Sequence, residues 1–239
     1  MVPIIKGAAL DSANSNSGKD PSKDPSKDPF RGAQLFISAR SPFARRVRLA
    51  LHEHDIPFQE EVVDLFAADL PRAHPTLFEA NPLARVPAIR LASGQHLVDS
   101  SEILSVFYQT RESAWLPKDP AIRLHQSYWS GIALGLFDLI VDYFLEMNRP
   151  EPKRDAELLS DTDSHVMRTL GVLEKDLARR KPDQALTQAD LDLGTALSYL
   201  ALRYPRDWEA KYPLCVAYRA SLEKRPSFIR TAPPPPQTL

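Results

Sequence analysis

Cysteine is almost missing from this sequence: Cys215 is the only one in 239 residues. That excludes an intrachain disulfide, a CxxC redox pair and a thiolate zinc cluster. The six histidines, at positions 52, 54, 74, 96, 125 and 165, form neither an HxxxH nor an HExxH pattern. His52 and His54 are two apart, which on a helix points them away from each other, so no metal is expected. An excess of one charge is also lacking, since 30 Lys+Arg against 31 Asp+Glu leave a net charge of -1. Bulk charge therefore gives no support to a nucleic-acid grip or a polybasic membrane anchor. The longest apolar run, 131–145, is interrupted by Asp138 and Asp142, so no segment is expected to span a bilayer. The first ten residues hold only a short apolar patch and no signal-peptide series. The expectation is a soluble, cytoplasmic protein of one or two domains at about 150 residues per domain.

What is present divides the chain. Residues 1–31 are polar, aperiodic and repeat Lys-Asp-Pro-Ser units, a composition expected to form a disordered tail. Residues 231–239 carry four consecutive prolines and are expected to be extended and polyproline-like. Between them, Gln34–Ile37 is strand-like. Residues 43–54 follow with Ala44, Val47, Ala50, Leu51 and His54 at helical spacing and Arg45, Arg46 and Arg48 between them. Residues 58–63 form a second strand candidate, and 64–80 hold a loop with one broken helix. Residues 86–91 and 96–98 flank a hairpin turn, and 99–111 are helical. From Pro120 onward every strong signal is helical: a long stripe through Ile132, Leu136 and Ile140, a second helix over 159–181, and a third from Thr187. That third helix opens on a capping-box-like Thr187…Asp190, with Leu186 and Leu191 placed as a hydrophobic staple. Pro205 stops it, and 212–224 supply one more. The fold class is thus a small α/β domain of order β-α-β-α-β-β-α followed by an all-α domain.

Three short stretches concentrate the chemistry: SPFARRVRLAL from Ser41, NPLARVPAI from Asn81, and LVDSSEIL from Leu97. In this order and spacing they resemble the glutathione S-transferase family, over about residues 34–228 and including the helical segment LTQADLDLGTAL. The resemblance implies a thioredoxin-like glutathione-binding domain over 32–111, a linker over 112–119 and a helical-bundle domain over 120–230. It also implies glutathione as co-substrate, no metal, and a homodimer active in detoxification.

Glutathione's γ-glutamyl end is a zwitterion, so its pocket needs an anion beside N–H donors. Asp99 would take the ammonium, and Ser100 with the first N–H groups of its helix would take the carboxylate. On the residues alone, Asp99 or Ser100 equally reads as a helix cap. A lone Val-Pro is cis in only about 5–6% of cases and otherwise starts an edge strand. The resemblance implies that Val86-Pro87 is cis and that Val86 pairs with the tripeptide main chain as an added strand. Arg85 stands where relatives carry a basic residue that helps hold glutathione, and it also reads as a solvated surface arginine.

The thiol must be ionised, and its activating donor is expected between the first strand and first helix. That segment has no cysteine, and no tyrosine precedes Tyr108. Ser41 is left as the catalytic candidate, with Ser38 second and Arg40 as an electrostatic helper. Ser41 aligns with the serine of Ser-Pro-Phe relatives, and it also reads as an N-cap. An electrophile would sit between the domains, against Phe43, Tyr128, Trp129 and Ile132, although such stripes also build cores. Gly131 and Gly135 would permit close helix approach, in a dimer or within the helical domain. The function expected is a glutathione transferase acting on a small apolar electrophile. The alternatives are a glutathione-dependent isomerase or dehalogenase, and a non-catalytic ligand-binding or protein-interaction module of the same fold.

Overall fold

The computed structural model describes residues 28–113, 115–181 and 184–235. Four strands, β1 (Gln34–Ile37), β2 (Gln59–Val62), β3 (Ala88–Arg90) and β4 (His96–Val98), form one sheet in the order β2-β1-β3-β4. β1 pairs parallel with β2 and antiparallel with β3, and β3 pairs antiparallel with β4. The helices of this half are α1 (Pro42–Glu53), α2 (Leu70–Ala73), α3 (Pro75–Ala80) and α4 (Ser100–Gln109). The second half contains α5 (Pro120–Met147), α6 (Ala156–Leu177), α7 (Gln188–Arg203), α8 (Trp208–Lys211), α9 (Pro213–Glu223) and α10 (Pro226–Arg230). A thioredoxin-like β-α-β-α-β-β-α unit is therefore followed by a helical one. The helix broken at Pro75 is α2 and α3.

β1 is buried on both faces, which is why Gln34–Ile37 reads as an apolar run rather than an alternation. Leu35 and Ile37 pack with Val47, Ala50 and Leu51 of α1 and with α4, whereas Phe36 packs with Leu77 and Ala80 of α3 on the opposite face. The helical core centres on α5 and α7, through Leu136, Phe137, Leu193 and Leu197. The capping box of α7 is formed: Thr187 N–H donates to Asp190 Oδ2, and the Thr187 side chain bonds the helix main chain. Leu186 and Leu191 lie in one cluster with Leu49 of α1, Leu222 and Phe228. That cluster joins the two halves.

Two boundaries differ from the expectation. Residues 28–31 were expected in the disordered tail, yet Phe30 is fully buried against Phe107, and Asp28 pairs with Arg111 at 2.9 Å. Burying one aromatic ring offsets the ordering of those few residues. The rest of that tail, 1–27, lies outside the described residues. At the other end Thr231 is fully buried, and Pro235 C=O accepts from Arg40 Nε and Nη2 at 3.1 and 2.7 Å. The start of the proline-rich segment is thus pinned by side chains, and its last residues, 236–239, lie outside the described residues.

Gly194 sits where α7 meets α9 and α10. A Cβ there would lie 2.6 Å from Leu222 Cδ1 and 2.8 Å from Phe228 Cζ. Both neighbours are buried, so neither can move aside cheaply. Gly194→Ala is expected to destabilise the fold by about 1–3 kcal/mol in urea unfolding.

His54 supplies a pH dependence. Its Nδ1–H faces Ala50 C=O at 2.7 Å, its Nε2 faces the Ser113 hydroxyl at 2.6 Å, and Phe107 packs edge-on at 5.0 Å. Burial holds its pKa below the ordinary 6.5, so folding favours the neutral ring. Its contribution is complete above about 6.5 and is lost as pH falls through that value toward the lower folded pKa. The melting temperature is expected to drop on acidification through this window, and to drop less in His54→Gln.

Candidate active site

Three chain reversals meet at one end of the sheet. The register sets Phe36 opposite Ala88 and Ala88 opposite Val98. The exit of β1, the entrance of β3 and the exit of β4 therefore lie side by side, about 4.8 Å apart per strand. Ser41, Val86-Pro87 and Asp99 occupy those three positions.

Ser41 is the N-cap of α1: its Oγ accepts from Ala44 N–H at 3.2 Å, and Pro42 opens the helix. Such a cap is worth about 1 kcal/mol. The cap uses an acceptor lone pair only, and the hydroxyl proton has no partner among the described residues. The Val86-Pro87 bond is cis. The loop before it is held by a residue that sequence reasoning missed, Asn81, only 3% exposed. Its Nδ2 donates to Arg85 C=O at 2.8 Å, and its Oδ1 accepts from Leu83 N–H at 3.0 Å. The signal was available, since an Asn before Pro marks a turn. Val86 lies beyond the last β1–β3 pair, and its main-chain N–H and C=O have no partner among the described residues.

Asp99 caps α4 with Oδ1, which accepts from Ser101 N–H at 2.7 Å and Glu102 N–H at 3.4 Å. Its Oδ2 has no hydrogen-bond partner among the described residues. Its φ of +68° is a conformation that costs a non-glycine residue about 1–3 kcal/mol and persists where the surroundings impose it. Ser100 is buried, and its Oγ accepts from Arg46 Nη1 at 3.1 Å. That bond leaves the Ser100 hydroxyl proton to donate. Arg46 itself is buried and forms a two-point pair with Asp192 at 2.8 Å on each contact. Gln188 Nε2 donates to Asp192 Oδ1 at 2.7 Å, and Tyr108 OH donates to Gln188 Oε1 at 2.6 Å.

Arg85 is exposed, and across from it on α5 stands Asp138, whose pKa is raised by burial and by Asp142, opposed by Arg85. Asp99 acts on Asp138 in the same raising direction. The site thus has an acidic wall on the helical half, which the sequence showed only as a charge interrupting an apolar run.

The four residues expected around an electrophile are not gathered beside Ser41. Trp129 is 3% exposed and belongs to the helical core, where its Nε1–H donates to His125 at 3.2 Å. It is four residues before Ala133, on the face of α5 that packs against α7, and this overturns its placement in the cleft. Ile132 packs partly buried on the same core, and Tyr128 is half-exposed with its ring edge on Trp129. Phe43 bridges the halves by an edge contact with Phe137, centroids 5.2 Å apart. The small cavity beside Ser41 is lined instead by Arg40, Pro42, Arg45, Thr195, Tyr199 and Pro233. A larger cavity of about 580 Å³ lies between α4 and α5, and Arg46 and Ser101 line it from the side of Asp99.

A family profile described as glutathione S-transferase, N-terminal domain, matches residues 40–110. A glutathione S-transferase from Methylobacillus flagellatus, solved with glutathione bound, superposes with a TM-score of 0.77 at 30% identity, covering 85% of this chain and 100% of its own. The chain belongs to the glutathione S-transferase family. A second transferase, from Methylobacterium radiotolerans in complex with glutathione sulfonate, gives a TM-score of 0.74 at 31% identity over 87% of this chain and 97% of its own. Glutathione S-transferase U1 of Arabidopsis thaliana is 33% identical over 91 residues, an alignment spanning 38% of each protein. The family's N-terminal domain thus carries Ser41, Val86-Pro87 and Asp99, and the full-length likeness extends through the helical half.

The Arg46–Asp192 pair gives this site its sharpest stability prediction. Removing one partner leaves the other charge buried and unpaired. Asp192→Ala is expected to cost about 3–5 kcal/mol in urea unfolding.

Proposed function

We propose that this family member is a glutathione transferase in which Ser41 activates the thiol and Asp99 anchors the tripeptide. One observation carries the reading: three uncommitted polar groups stand in a row at one end of the sheet. They are the Ser41 hydroxyl proton, the Val86 main chain and Asp99 Oδ2. They match the order of a thiol, a cysteinyl backbone and a γ-glutamyl ammonium along one extended peptide. The free end of α4 and the Ser100 hydroxyl suit the γ-glutamyl carboxylate. Arg85 suits the one remaining charge of the ligand, its glycyl carboxylate. The relatives solved with glutathione and glutathione sulfonate support the same ligand.

Catalysis in this reading is electrostatic. A thiol of pKa about 8.5 needs a drop of about 1.5–2 units to ionise near neutrality, or about 2–3 kcal/mol. One hydroxyl-to-thiolate hydrogen bond supplies about 1.5–3 kcal/mol, and the N-terminus of α1 adds about 0.3–1 kcal/mol. The thiolate then attacks a small electrophile held in the cleft between the halves, against Phe43 and the cavity beside Ser41. Neither nucleic acid nor membrane takes part. We place the protein in the cytoplasm with a role in detoxification, and as a homodimer. The dimer is supported by Gly131 and Gly135, where an added Cβ would meet nothing within 4 Å among the described residues, and by exposed Leu83, Leu124 and Tyr128.

Calorimetric titration of glutathione tests the site. The protein is expected to bind it, and Asp99→Ala to bind at least tenfold more weakly, about 1.4 kcal/mol. Ser41→Ala is expected to lose turnover with 1-chloro-2,4-dinitrobenzene by about 10–100-fold while its glutathione affinity changes little. Unchanged turnover in Ser41→Ala would remove Ser41 from catalysis. No binding at millimolar glutathione would overturn the whole reading.

A further inference from the structure

The cavity beside Ser41 measures about 10 Å³ and is walled by α1, by α7 and by Pro233 of the C-terminal segment. That is room for about one water molecule, which such a site holds when about 2–4 polar partners surround it. Four side chains of its wall have hydrogen-bonding capacity to spare. Ser41 Oγ has one lone pair taken by Ala44 N–H, and a hydroxyl oxygen carries a second. Thr195 Oγ1 donates its hydrogen to Leu191 C=O at 2.7 Å, so toward any further neighbour it can only accept. Arg45 uses Nε on Thr231 Oγ1 and Nη2 on Phe228 C=O, and a guanidinium has further hydrogens to give. The Tyr199 hydroxyl accepts from Arg203, and its own hydrogen has no acceptor among the described residues. Burial raises the Tyr199 pKa above the ordinary 10, against the charge of Arg203, so that hydrogen stays in place at neutral pH.

Two of these groups can donate and two can accept. That is the complement of a single water, which accepts twice and donates twice. An anion would leave Thr195 Oγ1 facing a like charge, and a cation would face the guanidinium of Arg45.

We propose that this cavity holds one water that accepts from Tyr199 and Arg45 and donates to Thr195 and Ser41, which makes Thr195 and Tyr199 positioning residues for the thiolate bond of Ser41. This rests on the reading of Ser41 as the thiol-activating residue. With Ala44 N–H on one lone pair of Ser41 Oγ and the water on the other, the hydroxyl has only a bond to donate, and sulfur receives it. A hydroxyl with a vacant lone pair rotates to suit its neighbours. A saturated one is oriented before the thiolate forms. Every bond in the row from Arg203 through Tyr199 and the water to Ser41 runs in the same sense. Donors aligned in this way polarise one another and strengthen the last bond of the row. The thiol proton leaves to bulk solvent, and the water and Thr195 keep theirs.

The pKa of the bound thiol tests this, followed by the ultraviolet absorbance of the thiolate as pH is raised over the full-length protein saturated with glutathione. Thr195→Val keeps the shape of the side chain and removes its acceptor. It is expected to raise that pKa by about 0.5–1, with a matching shift in the pH profile of turnover and little change in glutathione affinity. Thr195→Ser, which keeps the acceptor, is expected to restore the unmodified value. Tyr199→Phe is expected to act in the same direction as Thr195→Val, and decides the matter should Thr195→Val fold poorly. In a Ser41→Ala background, whose own thiol pKa is already raised, neither substitution is expected to add to the rise, because both act through that hydroxyl. An unchanged thiol pKa in folded Thr195→Val, no restoration by Thr195→Ser, or an undiminished further rise in the Ser41→Ala background would overturn the water site while leaving Ser41 as the activating residue. A bound-thiol pKa that Ser41→Ala does not move would remove Ser41 from catalysis, and this inference with it.

Discussion

The buried pair between Arg46 and Asp192 is the contact on which the site's geometry depends. One partner comes from the first helix of the sheet domain and the other from the central helix of the helical domain, and their side chains are 5% and 0% exposed. Taking two charges out of water costs several kcal/mol per ion, and that is repaid only by good geometry and full hydrogen bonding. Both conditions are met: the contact is two-pointed, Gln188 donates to Asp192, and Arg46 also donates to Ser100 and Ser101. The last two bonds matter for function. They tie the N-terminus of α4, where Asp99 sits at positive φ, to a helix of the other domain. A shift of the helical half would therefore move Asp99, the proposed anchor for glutathione.

Apolar contacts enclose this pair rather than replace it. Leu49, Leu191, Leu222 and Phe228 form one cluster across the boundary, and Glu53 pairs with Arg225 at 2.7 Å beside it. Gly194 lets α7 come down on Leu222 and Phe228 closely enough to shut water out. Excluding water strengthens the electrostatics of every charged group along this seam. Ser41 shares a small cavity with Thr195 and Tyr199 at the end of this seam, so in the proposed reading the same exclusion favours a hydroxyl-to-thiolate bond there.

Much of this was legible in the sequence because local chemistry and tertiary structure agree. The apolar run of β1, the Asn and Pro flanking the third strand, the Thr187…Asp190 cap and the acid before Ser100 each act within a few residues. The arginines of α1 were not legible. Their spacing reads as a polar face between apolar positions, yet Arg45 and Arg46 are 6% and 4% exposed. A helical period identifies a wet face only when one side of the helix meets solvent, and α1 is covered by the sheet, α7 and α10. The same limit hid the packing of Phe30 and Thr231, since one aromatic or threonine in a polar stretch carries no period. It also hid α8 and α10, at four and five residues, which are too short to show one. Trp129 failed in the opposite way: a genuine stripe on α5 was assigned to a cleft when it faces the core.

The arginines also explain why the C-terminal segment is ordered. Arg45 donates to Phe228 C=O and Thr231 Oγ1 at 3.3 Å, Arg48 donates to Thr231 C=O at 3.3 Å, and Arg40 holds Pro235 C=O. Carbonyl oxygens satisfy guanidinium hydrogens without cancelling the charge. Arg48 is neutralised by Glu60 at 2.7 Å, on the side of α1 facing β2. Arg45 hydrogen-bonds neutral oxygens, on the side facing the Ser41 cavity, and burial, opposed by the charge of Glu223, lowers its pKa to about 10, which still leaves it charged at neutral pH. In the proposed reading, the positive potential of Arg45 at the wall of the Ser41 cavity favours a bound thiolate. The proline-rich strap, with no charged side chain from 231 to 235, closes over α1 while preserving that potential. Fixed dipoles and charges arranged in advance around a developing anion are the most effective electrostatic catalysts, because nothing has to reorient when the charge appears.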